Sequence, residues 1–225
     1  MVLPQKLEEA AQELSRRARA RLLADTRITP QEKAAAAPEA AAPAFVPRPG
    51  VERWPVKTGA DPDAEQVDQT PVASTVETLL LIPRPADMPL TLSSPQYQAH
   101  RAPPELAVYT VEATLTDYRE EIDGDYHLVL ESDNGYEMIA EIPDPDFVDD
   151  ASPFKPQITA ARAAFDAQFA VTENFQMASL RVSITGVAFF DTSHGQRGVA
   201  PSNAIELHPV LAVQAAAAAP PAGST

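Results

Sequence analysis

The sequence contains no cysteine, which excludes a disulfide framework, a thiol nucleophile and any thiolate metal site. Positive charge is also scarce: 17 Lys and Arg stand against 32 Asp and Glu, a formal net charge of −15. The imbalance lies beyond residue 52. Residues 1–52 hold seven acids and eight bases, which leaves 25 acids against nine bases in 53–225, net −16. Because unpatterned nucleic-acid binding rests on Lys and Arg neutralising phosphates, this balance disfavours it. No long apolar run occurs near the start, where Glu8, Glu9, Glu13 and four arginines fall within residues 2–24. A signal peptide or membrane span there is not expected, and the expected location is cytoplasmic. The chain also lacks a Gly-x-Ser-x-Gly elbow and a glycine-rich phosphate loop. Lys57-Thr58-Gly59 has no glycines before it and reads as a turn.

Proline and alanine are abundant and divide the chain. Residues 1–29 read as a helical arm. Within 4–24, Leu7, Ala11, Leu14, Ala18 and Leu22 recur at spacings of four and three, and acids precede bases in the order that complements the helix dipole. Such an arm could dock or self-associate. Residues 30–52 form an Ala/Pro-rich linker, and 214–225 repeat that composition as a tail expected to be disordered. The folded domain is expected over 53–213. In it, 53–105 form an N-terminal wrap with one short helix, opened by the capping-box pattern Ser74-Thr75-Val76-Glu77.

From residue 106 the apolar period becomes two. Tyr109, Val111, Ala113 and Leu115 share one face of a first strand. Tyr126, Leu128 and Leu130 mark a second, and the hairpin signal Asp133-Asn134-Gly135 leads to a third through Tyr136, Met138, Ala140 and Ile142. Pro156 opens a helix with Ile158, Ala161, Phe165 and Phe169 on one side. Leu180, Val182 and Ile184 make a fourth strand, and Ile205, Leu207, Leu211 and Val213 a fifth. The order β-β-β-α-β-β predicts a mainly β fold, a five-stranded OB-type barrel over 106–213 with one helix between strands 3 and 4. A split sheet with a covering helix is the alternative.

Two sets of residues are candidates for chemistry. His127, Glu206 and His208 lie on the strand faces opposite the core residues, so their nitrogens and oxygens could converge on a divalent metal, although no His-x-x-x-His spacing links them. Each of these histidines has a carboxylate close by in sequence. The segment between strands 4 and 5 supplies the second set: Phe189 and Phe190 could stack on a base or sugar, while His194, Gln196 and Arg197 offer polar contacts to a ligand.

Four segments, W-P-V-K-T-G at 54–59, D-G-D-Y-H-L-V-L at 123–130, H-G-Q-R-G-V-A-P at 194–201 and E-L-H-P-V-L at 206–211, resemble a family of uncharacterised bacterial proteins. The resemblance covers about residues 53–213 and implies no activity. Three functions are therefore expected in descending order. The first is a binding module for a small ligand or protein partner, without a recognisable catalytic constellation. The second is a metal-dependent hydrolase, phosphodiesterase or nuclease-like, using His127, Glu206 and His208. The third is an assembly role for the N-terminal helix.

Overall fold

The computed structural model describes residues 52–90, 95–193 and 195–215. These belong to one unit, Pro47–Thr225. The helical arm, nearly all of the linker, residue 194 and the tail from 216 lie outside the described residues. In chain order the elements are α1 (Trp54–Thr58), β1 (Asp68–Ser74), α2 (Val76–Leu79), β2 (Ala107–Glu120), β3 (Tyr126–Glu131), β4 (Glu137–Ile142), α3 (Lys155–Asp166), β5 (Gln176–Phe190) and β6 (Ile205–Ala215).

The strands form a six-stranded mixed sheet ordered β1-β2-β3-β4-β6-β5, in which β2 also pairs with β5. Pairing is antiparallel for β2–β3, β3–β4, β5–β6 and β2–β5, and parallel for β1–β2 and β4–β6. The pairings among β2, β3, β4, β6 and β5 thus run in a cycle. Six strands replace the five expected. The additional one is β1, which the sequence hides because Asp68–Ser74 shows no apolar alternation and is exposed along most of its length. It carries Pro71, which has no N–H to donate, a residue tolerated on a sheet edge.

The expected alternation fills the interior. Val111, Ala113, Leu115, Leu128, Leu130, Met138, Ala140, Ile142, Val182, Ile184, Ile205 and Leu207 belong to one buried cluster with Ala161 and Phe165 of α3. Tyr118, Phe165 and Phe169 pack ring on ring, with centroids 5.5, 5.0 and 4.6 Å apart. Burying such aromatic and aliphatic surface is the main stabilising contribution available to the fold.

The N-terminal wrap is more ordered than its prolines suggest. Residues 54–58 are helical, so Lys57-Thr58-Gly59 is a helix end, with Gly59 capping at φ +72°. The short helix after β1 starts one residue later than expected: Thr75 caps α2 and its hydroxyl accepts from the Thr78 N–H. Arg53 anchors the wrap. Its guanidinium, 1% exposed, meets the buried Glu105 carboxylate at 2.6 and 2.9 Å and donates to the carbonyls of Tyr97, His100 and Phe190. Glu105 in turn accepts from the backbone N–H of Ala102 and Phe190.

A buried histidine–carboxylate cluster

Period-two geometry places His127 and Glu141 on the same face of β3 and β4, where they are direct partners across the antiparallel ladder. On β6, Glu206 pairs with Ile139 in the parallel ladder and His208 follows two residues later on the same side. These four residues face away from Leu128, Ala140 and Leu207, as their sequence positions predict. They are nevertheless buried, because α1 and the chain around Arg197 lie over them. His127, Glu206 and His208 are 1%, 1% and 0% exposed.

Glu141 joins the two histidines. Its Oε1 is 3.0 Å from His127 Nδ1 and its Oε2 is 2.9 Å from His208 Nδ1. The other His127 nitrogen, Nε2, lies 2.8 Å from the carbonyl oxygen of Arg197. With an oxygen acceptor at each nitrogen, His127 donates twice, which is the bonding pattern of an imidazolium. Its ring therefore presents no lone pair to a metal in this arrangement. Asp125 reaches the far side of His208, with Oδ2 3.2 Å from Nε2, and Glu206 Oε2 lies 3.9 Å from His208 Nδ1. The Asp125 loop is held by Arg162 of α3, which donates to the carbonyls of Gly124 and Ile142. Lys57, from α1, approaches Glu141 Oε2 at 3.9 Å.

The electrostatics follow from burial and from this crowd of carboxylates. Burial opposes the charge on both histidines, but Glu141 outweighs it at His127, which rises to about 9. Asp125, Glu141 and Glu206 outweigh burial at His208, which lies well above its ordinary value. Lys57 is likewise raised, burial being overcome by Glu141, Asp191, Glu206 and Asp125. Glu141, despite burial, is held well below the carboxylate range by the two histidines and Lys57. Glu206 moves the other way, to about 8, through burial and its neighbours Asp191 and Glu141. The oxygens around His208 stand at ion-pair distance without forming hydrogen bonds, and so act on it through charge–charge attraction. Both His208 nitrogens, both Glu206 oxygens and Asp125 Oδ2 are buried without a hydrogen bond.

His127, Glu206 and His208 fall in one cluster around Glu141 but not as one ligand set: among the described residues, the groups whose ligating atoms lie within 4.8 Å of one another are Glu121, His127 and Glu141, and Asp125, Glu141 and His208. In sequence, Glu141 sits within an ordinary strand alternation and Lys57 in a segment that reads as a turn, so neither stands out. Asp125 was visible beside His127 but had no assigned role. Its signal, and that of Glu141, was a carboxylate on the same face as a histidine.

The second expected set fares differently. Phe189 and Phe190 are both fully buried at the end of β5 and cannot stack on a ligand. Phe190 belongs to the core cluster, while the Phe189 ring lies under Arg53 and Lys57, 4.6 and 5.7 Å from their charged groups. His194 lies outside the described residues. Gln196 donates to the Asp191 carboxylate and to the Thr192 carbonyl. Arg197 pairs with Asp117 at 2.9 Å while remaining 45% exposed. Phe175 lies between Arg197 and Arg119, whose guanidinium carbons are 5.2 and 4.7 Å from its ring centre. Arg119 also binds Glu121 at 2.6 Å. A separate cleft of about 230 Å³ opens between Gly59–Glu65 and Asp149–Pro153 and shares no residue with the cluster.

No family model matches the chain, and no curated protein matches it. Among solved structures, a crystal structure from Leishmania major Friedlin, provisionally named an aspartyl-tRNA synthetase, is 15% identical. The likeness covers 66% of this chain and 21% of that one with a TM-score of 0.33, too low to establish a shared fold. Among the described residues, no helix is long and apolar enough to cross a membrane.

Proposed function

We propose that the chain is a binding module built on an OB-type barrel of β2, β3, β4, β6 and β5, with β1 as an added edge strand. The observation that carries this reading is the cycle of pairings, with α3 between β4 and β5 in the chain and a parallel β4–β6 contact where the order switches. In OB barrels, ligands are gripped by the loops that here correspond to 121–125 and 191–204. The second loop reaches the strand that follows the first, through the hydrogen bond between His127 on β3 and the Arg197 carbonyl. The face of β3 and β4 beside them is covered by the chain's own Lys57 and Arg197 segments, so binding falls to the rim formed by the exposed Arg197 and the partly buried Arg119 and Phe175. Two guanidiniums flanking an aromatic ring suit a small ligand or protein partner bearing an anionic group, which would displace Glu121 and Asp117 from their arginines.

Burial of the cluster also favours binding over hydrolysis. A hydrolytic metal centre keeps an open position for water and substrate, and His127, Glu206 and His208 have almost no exposed surface. The test is a thermal-shift screen of the full chain against anionic metabolites, oligosaccharides and oligonucleotides. A hit that raises the melting temperature, and no longer does so in the Arg119→Ser/Arg197→Ser double variant, is the expected outcome. If no compound moves the transition, the binding reading is withdrawn. An assembly role for residues 4–24 is tested separately, by light scattering of the full chain against residues 53–213.

A further inference from the structure

We propose that the buried cluster is a closed site for one divalent transition cation such as Zn²⁺, ligated by His208, Asp125 and Glu141 with Glu206 completing the shell. This site does not depend on the binding reading above. One imidazole nitrogen and several carboxylate oxygens form a donor set that suits such an ion, and the chain offers no thiolate to compete. Single ligating atoms of Asp125, Glu141 and His208 all lie within 4.8 Å of one another, and all three residues are buried. Donors around a tetrahedral ion with bonds near 2 Å stand roughly 3.3 Å apart, and because Asp125 faces Nε2 of His208 while Glu141 and Glu206 face Nδ1, the His208 ring or the Asp125 carboxylate must turn to bring all of them onto one ion.

Unmatched atoms supply the independent observation. Asp125 Oδ2 and both oxygens of Glu206 are buried without hydrogen bonds, beside His208, whose two nitrogens are equally without one. Such groups carry a large desolvation cost unless something answers them. Carboxylates also outnumber cations here: Asp125, Glu141, Asp191 and Glu206 all act on Lys57, and Glu121 lies 3.4 Å from His127 Nδ1, an excess of largely buried negative charge that a divalent cation would offset.

The wider geometry is that of a structural site. Glu141 spans from the cation position to His127, whose second N–H is fixed on the Arg197 carbonyl, so His127 is a positioning residue for a ligating carboxylate. The ligands come from the loop before β3 (Asp125), from β4 (Glu141) and from β6 (Glu206 and His208), so that one ion would tie together elements distant in sequence.

Elemental analysis decides the matter. Full-length, untagged protein is stripped with chelator, incubated with Zn²⁺ and desalted. We expect about one Zn²⁺ retained per chain and a higher melting temperature than the stripped protein. The near-isosteric variants Asp125→Asn and Glu206→Gln should each bind about 10–100-fold more weakly, while Asp133→Asn, on the exposed hairpin, should bind as the parent does. Substoichiometric Zn²⁺ in the reloaded parent protein would overturn the proposal, as would unchanged retention in both cluster variants. Should Asp125→Asn not fold, the parent's metal content and Glu206→Gln carry the same decision.

Discussion

Arg53 is a charge taken fully out of water with all five of its N–H donors engaged: two on Glu105 and three on backbone carbonyls. Removing one member of such a pair leaves the other buried and uncompensated, which typically costs about 3–5 kcal/mol. Arg53→Met should therefore shift the urea midpoint strongly downward, and adding Glu105→Gln should recover part of the loss. Phe190 permits a similar test of its corrected position. As a core ring rather than a stacking platform, Phe190→Ala should lower stability by about 3–5 kcal/mol, with a melt rather than a titration reporting the damage. The misplacement of Phe189 and Phe190 has a physical cause. Both faces of β5 are covered at its end, one by the core and the other by Arg53 and Lys57, so neighbouring residues are buried and alternation ceases to mark the strand.

Among the elements, the strands with apolar residues on one face and mostly polar ones on the other were legible, because that contrast gives period two even where both faces are buried, as in β3, β4 and β6. β2, β3, β4 and β6 lie where expected, while β5 contains the expected 180–184 but runs on through Phe190, and α3 lies where expected but ends at Asp166, before Phe169. β1 was not legible, since an exposed edge strand imposes no apolar pattern. Val72→Lys on that strand should accordingly change stability by less than about 0.5 kcal/mol in a denaturant titration. The helix α1 was missed for a different reason: five residues containing a proline give too short a window for periodicity to register. Its end is nonetheless exacting. Gly59 has φ +72°, and a Cβ there would lie 2.4 Å from Phe154 Cδ2. Gly59→Ala should destabilise by more than about 1 kcal/mol, visible as a lower thermal midpoint. It should also loosen Lys57, two residues earlier, from the cluster. Half of the candidate site was legible in the same sense: His127, Glu206 and His208 could be assigned to outward faces, but only tertiary folding reveals that α1 turns that outside into an interior.

At the level of the whole molecule, net charge of −16 over residues 53–225 governs which macromolecules can approach. Anisotropy of a labelled random-sequence DNA duplex should stay flat through micromolar protein at physiological salt; clear binding would show that a local basic surface overrides the net field. The surplus of acid also reaches inward, to the wall where β4 meets β6. That parallel ladder has only two paired positions, Ile139 with Glu206 and Ala140 with Leu207, the fewest of any contact in the sheet. Glu141, Glu206 and His208 stand across the same join. The seam with the fewest backbone rungs is thus the one fastened by charge, so its opening would answer to whatever cation or proton sits there, as a zip answers to its slider.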